Sequence, residues 1–352
     1  MPRVIDVDLH YQIADWSAVA PHVPAGLRWR IGRKNGPPLA RHGFKPVGAS
    51  ASSPAVDPAA VKRSYLQARG IDVAILTGSL WSLGVQPNAD LAAAIARGVN
   101  DWTLETWIRP FDCYRGSILV AQQDPLQAAA EIDRLGADPG MVQVLLGSAS
   151  EAPLGRRAFH PIYEACVRHA LPLGLHIGGE GTGISSPATA VGHPTTYFEW
   201  YGSLPQSYMA HIMSMVTEGV FERFPTLRVI LYGAGVFWLP HVMWRFDKNW
   251  KAQRSETPWV KQAPSRYILE HFFSTTYPLE AAPRPEYLHQ ILDMIDAEHT
   301  LLFSGNYPDW ALGEPFDMVR DIPERIRQRV MFDNAVSVYG ERALAAHNAA
   351  VG

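Results

Sequence analysis

The 352-residue sequence has little of what marks several common protein classes. It holds two cysteines, Cys113 and Cys166, far apart and without CxxC spacing. That excludes a disulfide framework or a cysteine-ligated zinc finger and reads as two reduced, structural thiols. No hydrophobic run approaches the roughly 20 residues of a membrane helix, and the N-terminus lacks a signal-peptide pattern. The expectation is a cytoplasmic protein with no membrane partner. A formal net charge of −3 leaves no basic footprint for nucleic acid. The GxSxG, HExxH and early GxGxxG patterns are missing, which sets aside serine hydrolase, thermolysin-like and dinucleotide-binding readings.

What is present is apolar and aromatic. The chain is 47% hydrophobic, with 11 Trp, 13 Tyr and 13 Phe. That is enough for a large core, and a single domain over 1–352 is expected. The first apolar run, 4–10, ends in Asp8 and His10. Alternate residues of a strand share a side. Both side chains therefore project together, a spacing that suits a divalent ion held by a carboxylate oxygen and an imidazole nitrogen.

A segment rich in Gly, Pro, Ser and Ala follows at 31–60 and reads as a lid. From there short apolar runs at 72–77, 117–121, 142–146, 172–177, 227–232, 272–276 and 301–304 read as strands. Between them helical stretches are predicted over 88–107, 125–135, 159–169, up to 224, and 239–250. Counting the first run, about eight strands alternate with helices. That predicts parallel strands with right-handed crossovers, and a (β/α)8 barrel of the TIM type over an open doubly wound sheet. The glycine turn at 178–183 reads as a tight turn, since it lacks the phosphate-loop pattern.

Active sites of such barrels lie at the C-terminal ends of the strands. That rule gathers Asp8, His10, His176, Tyr232, Thr276, Asn306 and Asp309 at one mouth. The aromatic residues Tyr197, Phe198, Trp200, Tyr201 and Trp310 suit an aromatic or conjugated acid as substrate. Trp200, Tyr201, Thr276 and Trp310 are the candidate substrate contacts.

Several stretches resemble one family. The segment 218–230, Trp238-Leu239-Pro240, and Trp244-Arg245-Phe246-Asp247 look like its "GvferfP-x-Lrvv…WlP…wRxD" signature. Residues 302–308 look like "lFgSDyPh", and Asp333-Asn334-Ala335 with Val338-Tyr339-Gly340 like "NAxxxYg". The chain resembles the amidohydrolase superfamily over nearly its whole length. The likeness is to the branch of aminocarboxymuconate-semialdehyde decarboxylase and γ-resorcylate decarboxylase. The resemblance implies a (β/α)8 barrel, a bound zinc or manganese ion, and a homodimer or homotetramer, with the Tyr208 to Met215 stretch as a candidate contact. It implies Asp8, His10 and His176 as metal ligands, with Asn306 at the position of the ligating, proton-shuttling aspartate after strand eight. Asp8 is one methylene shorter than the glutamate of γ-resorcylate decarboxylases. Asn306 is neutral and neither takes up nor gives up a proton near pH 7. Tyr232 stands where several decarboxylases carry a histidine base, and Asp309 where the family has a histidine.

Three functions follow. The first is a metal-dependent decarboxylase or hydrolase of a small acid, with Asn306, Asp309, Tyr232 and His176 as the catalytic candidates. The second, motivated by Asn306, is a barrel without metal that catalyses cyclisation, dehydration or isomerisation by acid/base groups alone. The third is a non-catalytic binding protein on the same scaffold.

Overall fold

The computed structural model describes residues 3–31 and 55–344. Most of the expected lid, 32–54, lies outside these residues. Eight strands form one parallel sheet in sequence order: β1 (Ile5–Leu9), β2 (Val73–Leu76), β3 (Tyr114–Leu119), β4 (Met141–Gly147), β5 (Leu173–His176), β6 (Val229–Tyr232), β7 (Phe272–Thr275) and β8 (Leu301–Leu302). Each is buried along its whole length, which is why these runs are apolar rather than alternating. The (β/α)8 expectation holds.

Two of the long helices begin at side-chain caps that the sequence supplies. Asn88 accepts from the Leu91 amide at the start of Ala89–Thr103, and Asp124 accepts from the Gln127 amide at the start of Pro125–Leu135. The predicted 88–107 helix is α-helical to Thr103 and then widens into a π turn, Leu104–Ile108. In the helix Pro205–Thr217, Tyr208, Ile212 and Met215 are buried within the chain. That face of the stretch expected at a subunit contact therefore packs on the barrel, while Met213 is turned outward. Both cysteines are free thiols.

The ring closes just beyond β8. The Val7 amide donates to the Phe303 carbonyl at 3.0 Å, and the His10 amide to the Tyr307 carbonyl at 2.8 Å. Buried Asp6 clasps this seam. It accepts from the Gly305 amide at 2.7 Å, the Asp8 amide at 3.0 Å and the Tyr65 hydroxyl at 2.8 Å. Burial lifts the Asp6 carboxyl to about 7 against these bonds. A β-carbon at position 305 would collide with the Tyr65 hydroxyl and the Asp6 carboxylate, so the seam requires glycine there. Among the described residues no helix is long and apolar enough to cross a membrane.

Candidate metal centre

Strands β1 and β5 stand on opposite sides of the barrel, yet their ends meet. His10 Nε2 lies 3.0 Å from Asp8 Oδ1 and 3.1 Å from His176 Nε2, and His176 Nε2 lies 3.6 Å from Asp8 Oδ1. All three side chains are buried. Among the described residues they are the one group of three or more His, Cys, Asp or Glu side chains close enough to share an ion.

Hydrogen bonds fix which nitrogen faces the centre. His176 Nδ1 sits 2.7 Å from the Ile177 carbonyl, so the proton is on Nδ1 and the Nε2 lone pair points inward. His10 Nδ1 faces the Asp309 carboxylate at 3.3 Å in the same sense. Two nitrogen lone pairs and a carboxylate oxygen thus converge, an arrangement that calls for a cation between them. Burial opposes charge on each imidazole. At His10 the Asp8 and Asp309 carboxylates outweigh burial and hold it up to about 9. At His176 burial wins, and the charge on His10 adds to it, so its pKa falls. Burial also works against the Asp8 carboxylate, but the two histidines hold it well below the ordinary range. The cluster therefore gathers a positive charge even as a proton. Its donor set fits a divalent ion. Ligand bonds of about 2.0–2.2 Å leave neighbouring donors roughly 3–3.6 Å apart, and the three measured separations fall in that window.

Asp8 is oriented by neighbours that the sequence reading passed over. The Thr77 hydroxyl donates to Oδ1 at 2.6 Å and the Ser304 hydroxyl to Oδ2 at 3.1 Å. Thr77 directly follows β2 and Ser304 lies just past β8, so the strand-end rule already points to both. Trp81, in the loop after β2, stacks on His176 with ring centroids 3.9 Å apart and meets His10 edge-on at 4.6 Å. No periodicity in the sequence marks it. Beside Thr77 lies a small cleft of about 10 Å³, lined by Tyr11, Thr77, Leu80, Ser117, Leu119 and Leu145.

The remaining candidates divide. Asp309 is half in solvent, with its side chain 60% exposed, and touches His10 from the open side. Asn306 is buried in the left-handed region at φ 46°, and its amide N–H donates to the Asp309 carbonyl. Its side chain thus shapes the loop that presents Asp309. Thr276 is buried between β7 and β8, where its hydroxyl accepts from the Ser304 amide at 3.0 Å. Trp310 is half-buried and donates its indole N–H to the Gly305 carbonyl at 2.7 Å. Half-buried Tyr201 packs on Tyr197 with centroids 5.6 Å apart. Burial raises both phenols, and the Asp309 charge adds to the effect on each. Trp200 departs from expectation. It is buried and donates its indole N–H to the Glu180 carbonyl at 3.0 Å.

Tyr232 departs further. Its ring stacks on His176, but its hydroxyl bonds Gln143 Oε1 at 2.8 Å and the Tyr339 hydroxyl at 2.9 Å, inside the barrel. Burial, with Tyr339 beside it, pushes the phenol well above its ordinary value, so it is no base at neutral pH. Tyr232→Phe is expected to lower stability by about 1–3 kcal/mol, the cost of unpairing buried polar partners. Metal content and turnover should stay within a few-fold of wild type, as thermal melts, elemental analysis and rate measurements will read.

The amidohydrolase family model matches residues 5–340. A γ-resorcylate decarboxylase from Polaromonas sp. strain JS666 is 27% identical over 290 residues, 77% of this chain and 83% of that protein. One from Rhodococcus jostii strain RHA1 is 25% identical over 263 residues, 70% of this chain and 76% of that protein. Among solved structures, a dihydroxybenzoic acid decarboxylase from Polaromonas sp. JS666, holding manganese and the inhibitor 2-nitroresorcinol, shares the fold. Its TM-score is 0.71 at 20% identity, over 99% of this chain and 100% of that one. With its barrel and the matched length, the chain belongs to the amidohydrolase family.

Proposed function

We propose that this chain is a metal-dependent decarboxylase of a small aromatic or conjugated carboxylic acid. One observation carries the reading: His10 Nε2, His176 Nε2 and Asp8 Oδ1 converge within ligand distance, with both Nδ1 protons committed elsewhere. The names of the curated relatives supply the reaction type.

Asp8, His10 and His176 would hold zinc or manganese. When bound, such an ion supplies a Lewis acid that draws electron density from a substrate carboxylate or phenolate oxygen. The rest falls to the chain. Tyr197, Tyr201 and Trp310, all half-buried, would supply ring faces suited to orienting an aromatic substrate. Asp309 stands on the open side with its carboxyl beside His10. There its carboxylate, once protonated from the solvent on that side, hands the proton to the ring carbon as the bond to the substrate carboxylate breaks; the electron pair left on that carbon takes it, CO2 departs, and Asp309 returns to the carboxylate. Asn306 holds the loop that presents Asp309. The assembly is a homodimer or homotetramer and the location cytoplasmic. The outward Phe198, 89% exposed, and Trp244, 59% exposed, support association.

The reading without metal has one observation in its favour: Asn306 is neutral where the resemblance implies a ligating aspartate. One experiment separates the readings. The protein is purified without chelator or a metal-binding tag, its metal content is measured, and CO2 release from 2,6-dihydroxybenzoate and related hydroxybenzoates is followed. The expected result is about one zinc or manganese per chain and CO2 release abolished by chelation. Protein that stays free of metal after reconstitution overturns the proposal. Bound metal with ester or lactone hydrolysis in place of CO2 release moves the reading to a hydrolase. Absence of turnover on every acid and ester tried favours the binding protein.

A further inference from the structure

The loop after β5 carries a buried carboxylate that the reaction above does not use. Glu180 is 3% exposed. One oxygen accepts from the Ser148 hydroxyl and the other from the Gly178 amide at 2.9 Å. That amide belongs to the same peptide group whose carbonyl, on Ile177, accepts from His176 Nδ1 at 2.7 Å. The peptide therefore stands between a carboxylate and an imidazole, with its N–H toward one and its C=O toward the other.

We propose that Glu180 is a positioning residue for His176, orienting and polarising it through the Ile177–Gly178 peptide. The inference rests on His176 being a metal ligand. A carboxylate at the N–H end of a peptide strengthens the dipole and makes the carbonyl a better acceptor. A better acceptor holds the Nδ1 proton more firmly, which fixes the ring and raises the donor strength of Nε2. Carboxylates that bond a ligand histidine directly act in this way. Here one peptide is interposed.

The loop is built to permit this. Gly178 has φ +135° and Gly179 φ +92°, conformations that side chains rarely adopt. A β-carbon at 178 would also press on Trp81, the ring stacked on His176. Neighbouring bonds hold the backbone around the carboxylate. Trp200 fixes the Glu180 carbonyl at 3.0 Å. The Ser148 amide donates to the His176 carbonyl at 2.8 Å, and His211 Nε2 donates to the Ser148 carbonyl at 2.7 Å. Burial pushes the Glu180 carboxyl up, and the bonds from Ser148 and Gly178 pull it back toward the charged form.

The test is Glu180→Gln in the full chain, which keeps an acceptor for the Gly178 amide and removes the charge. Affinity for zinc and for manganese is measured by chelator competition, and the absorption bands of the cobalt(II)-loaded protein are recorded. Circular dichroism serves as the control for folding. The expected result is a folded protein whose affinity for both ions falls about 10–100-fold, with shifted cobalt bands. Ser148→Ala, which loosens the carboxylate but leaves its charge, should shift both readouts less and in the same direction. If Glu180→Gln does not fold, Ser148→Ala decides by the same measurements. Wild-type protein that binds the ions, together with variants that match it within twofold and show unchanged bands, overturns the inference and leaves the metal reading standing. Wild-type protein that binds no ion overturns both.

Discussion

Replacing His176 by alanine is expected to remove the ion and the activity together. His176 supplies one of three converging donors, and its neighbours offer no substitute. Trp81 and Tyr232 present ring faces to it. The Lewis-acid contribution of a bound ion is several kcal/mol; about 4 kcal/mol is roughly a thousandfold in rate. Metal content should fall from about one ion per chain to a small fraction, and turnover by at least that factor. Deleting a buried ring also leaves a cavity, worth about 2–4 kcal/mol by analogy with other large-to-small core changes. Melting temperature must therefore be compared in the metal-free state of both proteins. His10→Ala provides the second arm. If either variant keeps full metal content, the assigned ligand set is wrong.

Asp309→Asn is expected to keep the ion and lose the rate. An amide oxygen at the same place still accepts from His10 Nδ1, so the ring stays oriented. What disappears is a group that can take up a proton and pass it on. Positioned acid/base groups contribute about 10²–10⁴-fold, and the fall should appear in kcat with metal content near wild type. A kcat within threefold of wild type would show that the proton reaches the ring carbon by another route, water from the open side being the first alternative. A loss of metal without a separate effect on kcat would reduce Asp309 to an orienting partner of His10.

The sequence shows the barrel well because its strands are buried on both faces and read as short apolar runs. The helix at 125–135 is bounded by its own cap, Asp124. The candidate ligands stand out for a local reason: Asp8 lies in one strand with His10 just past its end, and His176 ends another. Tyr232 also ends a strand, and there the rule misleads. Its hydroxyl goes to Gln143 and Tyr339, 89 and 107 positions away in sequence, and nothing in the β6 run records that those partners wait inside the barrel. Trp200 is similar. It sits in an aromatic cluster that suits a substrate wall, and the backbone of Glu180 claims its indole N–H. Asn306 draws attention by what it replaces, yet its visible contact is the carbonyl of a loop neighbour. Each case turns on a side chain's reach into tertiary space, which residue type alone does not encode.

The seam of the barrel would give a bound ion a second role. β1 and the residues after β8 are about as far apart along the chain as two segments can be. Their union therefore carries a large loop-closure entropy and is expected late in folding. The same union seats Asp8 against Ser304, Asp6 against Gly305 and His10 against Tyr307. Sealing the ring and finishing the metal cage are thus one event. An ion that binds only the closed form adds its own free energy to that closure, about 4 kcal/mol at a thousandfold excess over its dissociation constant. A bound ion would then serve as a staple as well as a reagent. Apo protein should open first along β1 and residues 303–307, where amide protons such as that of His10 would exchange with solvent before those of β3 and β4.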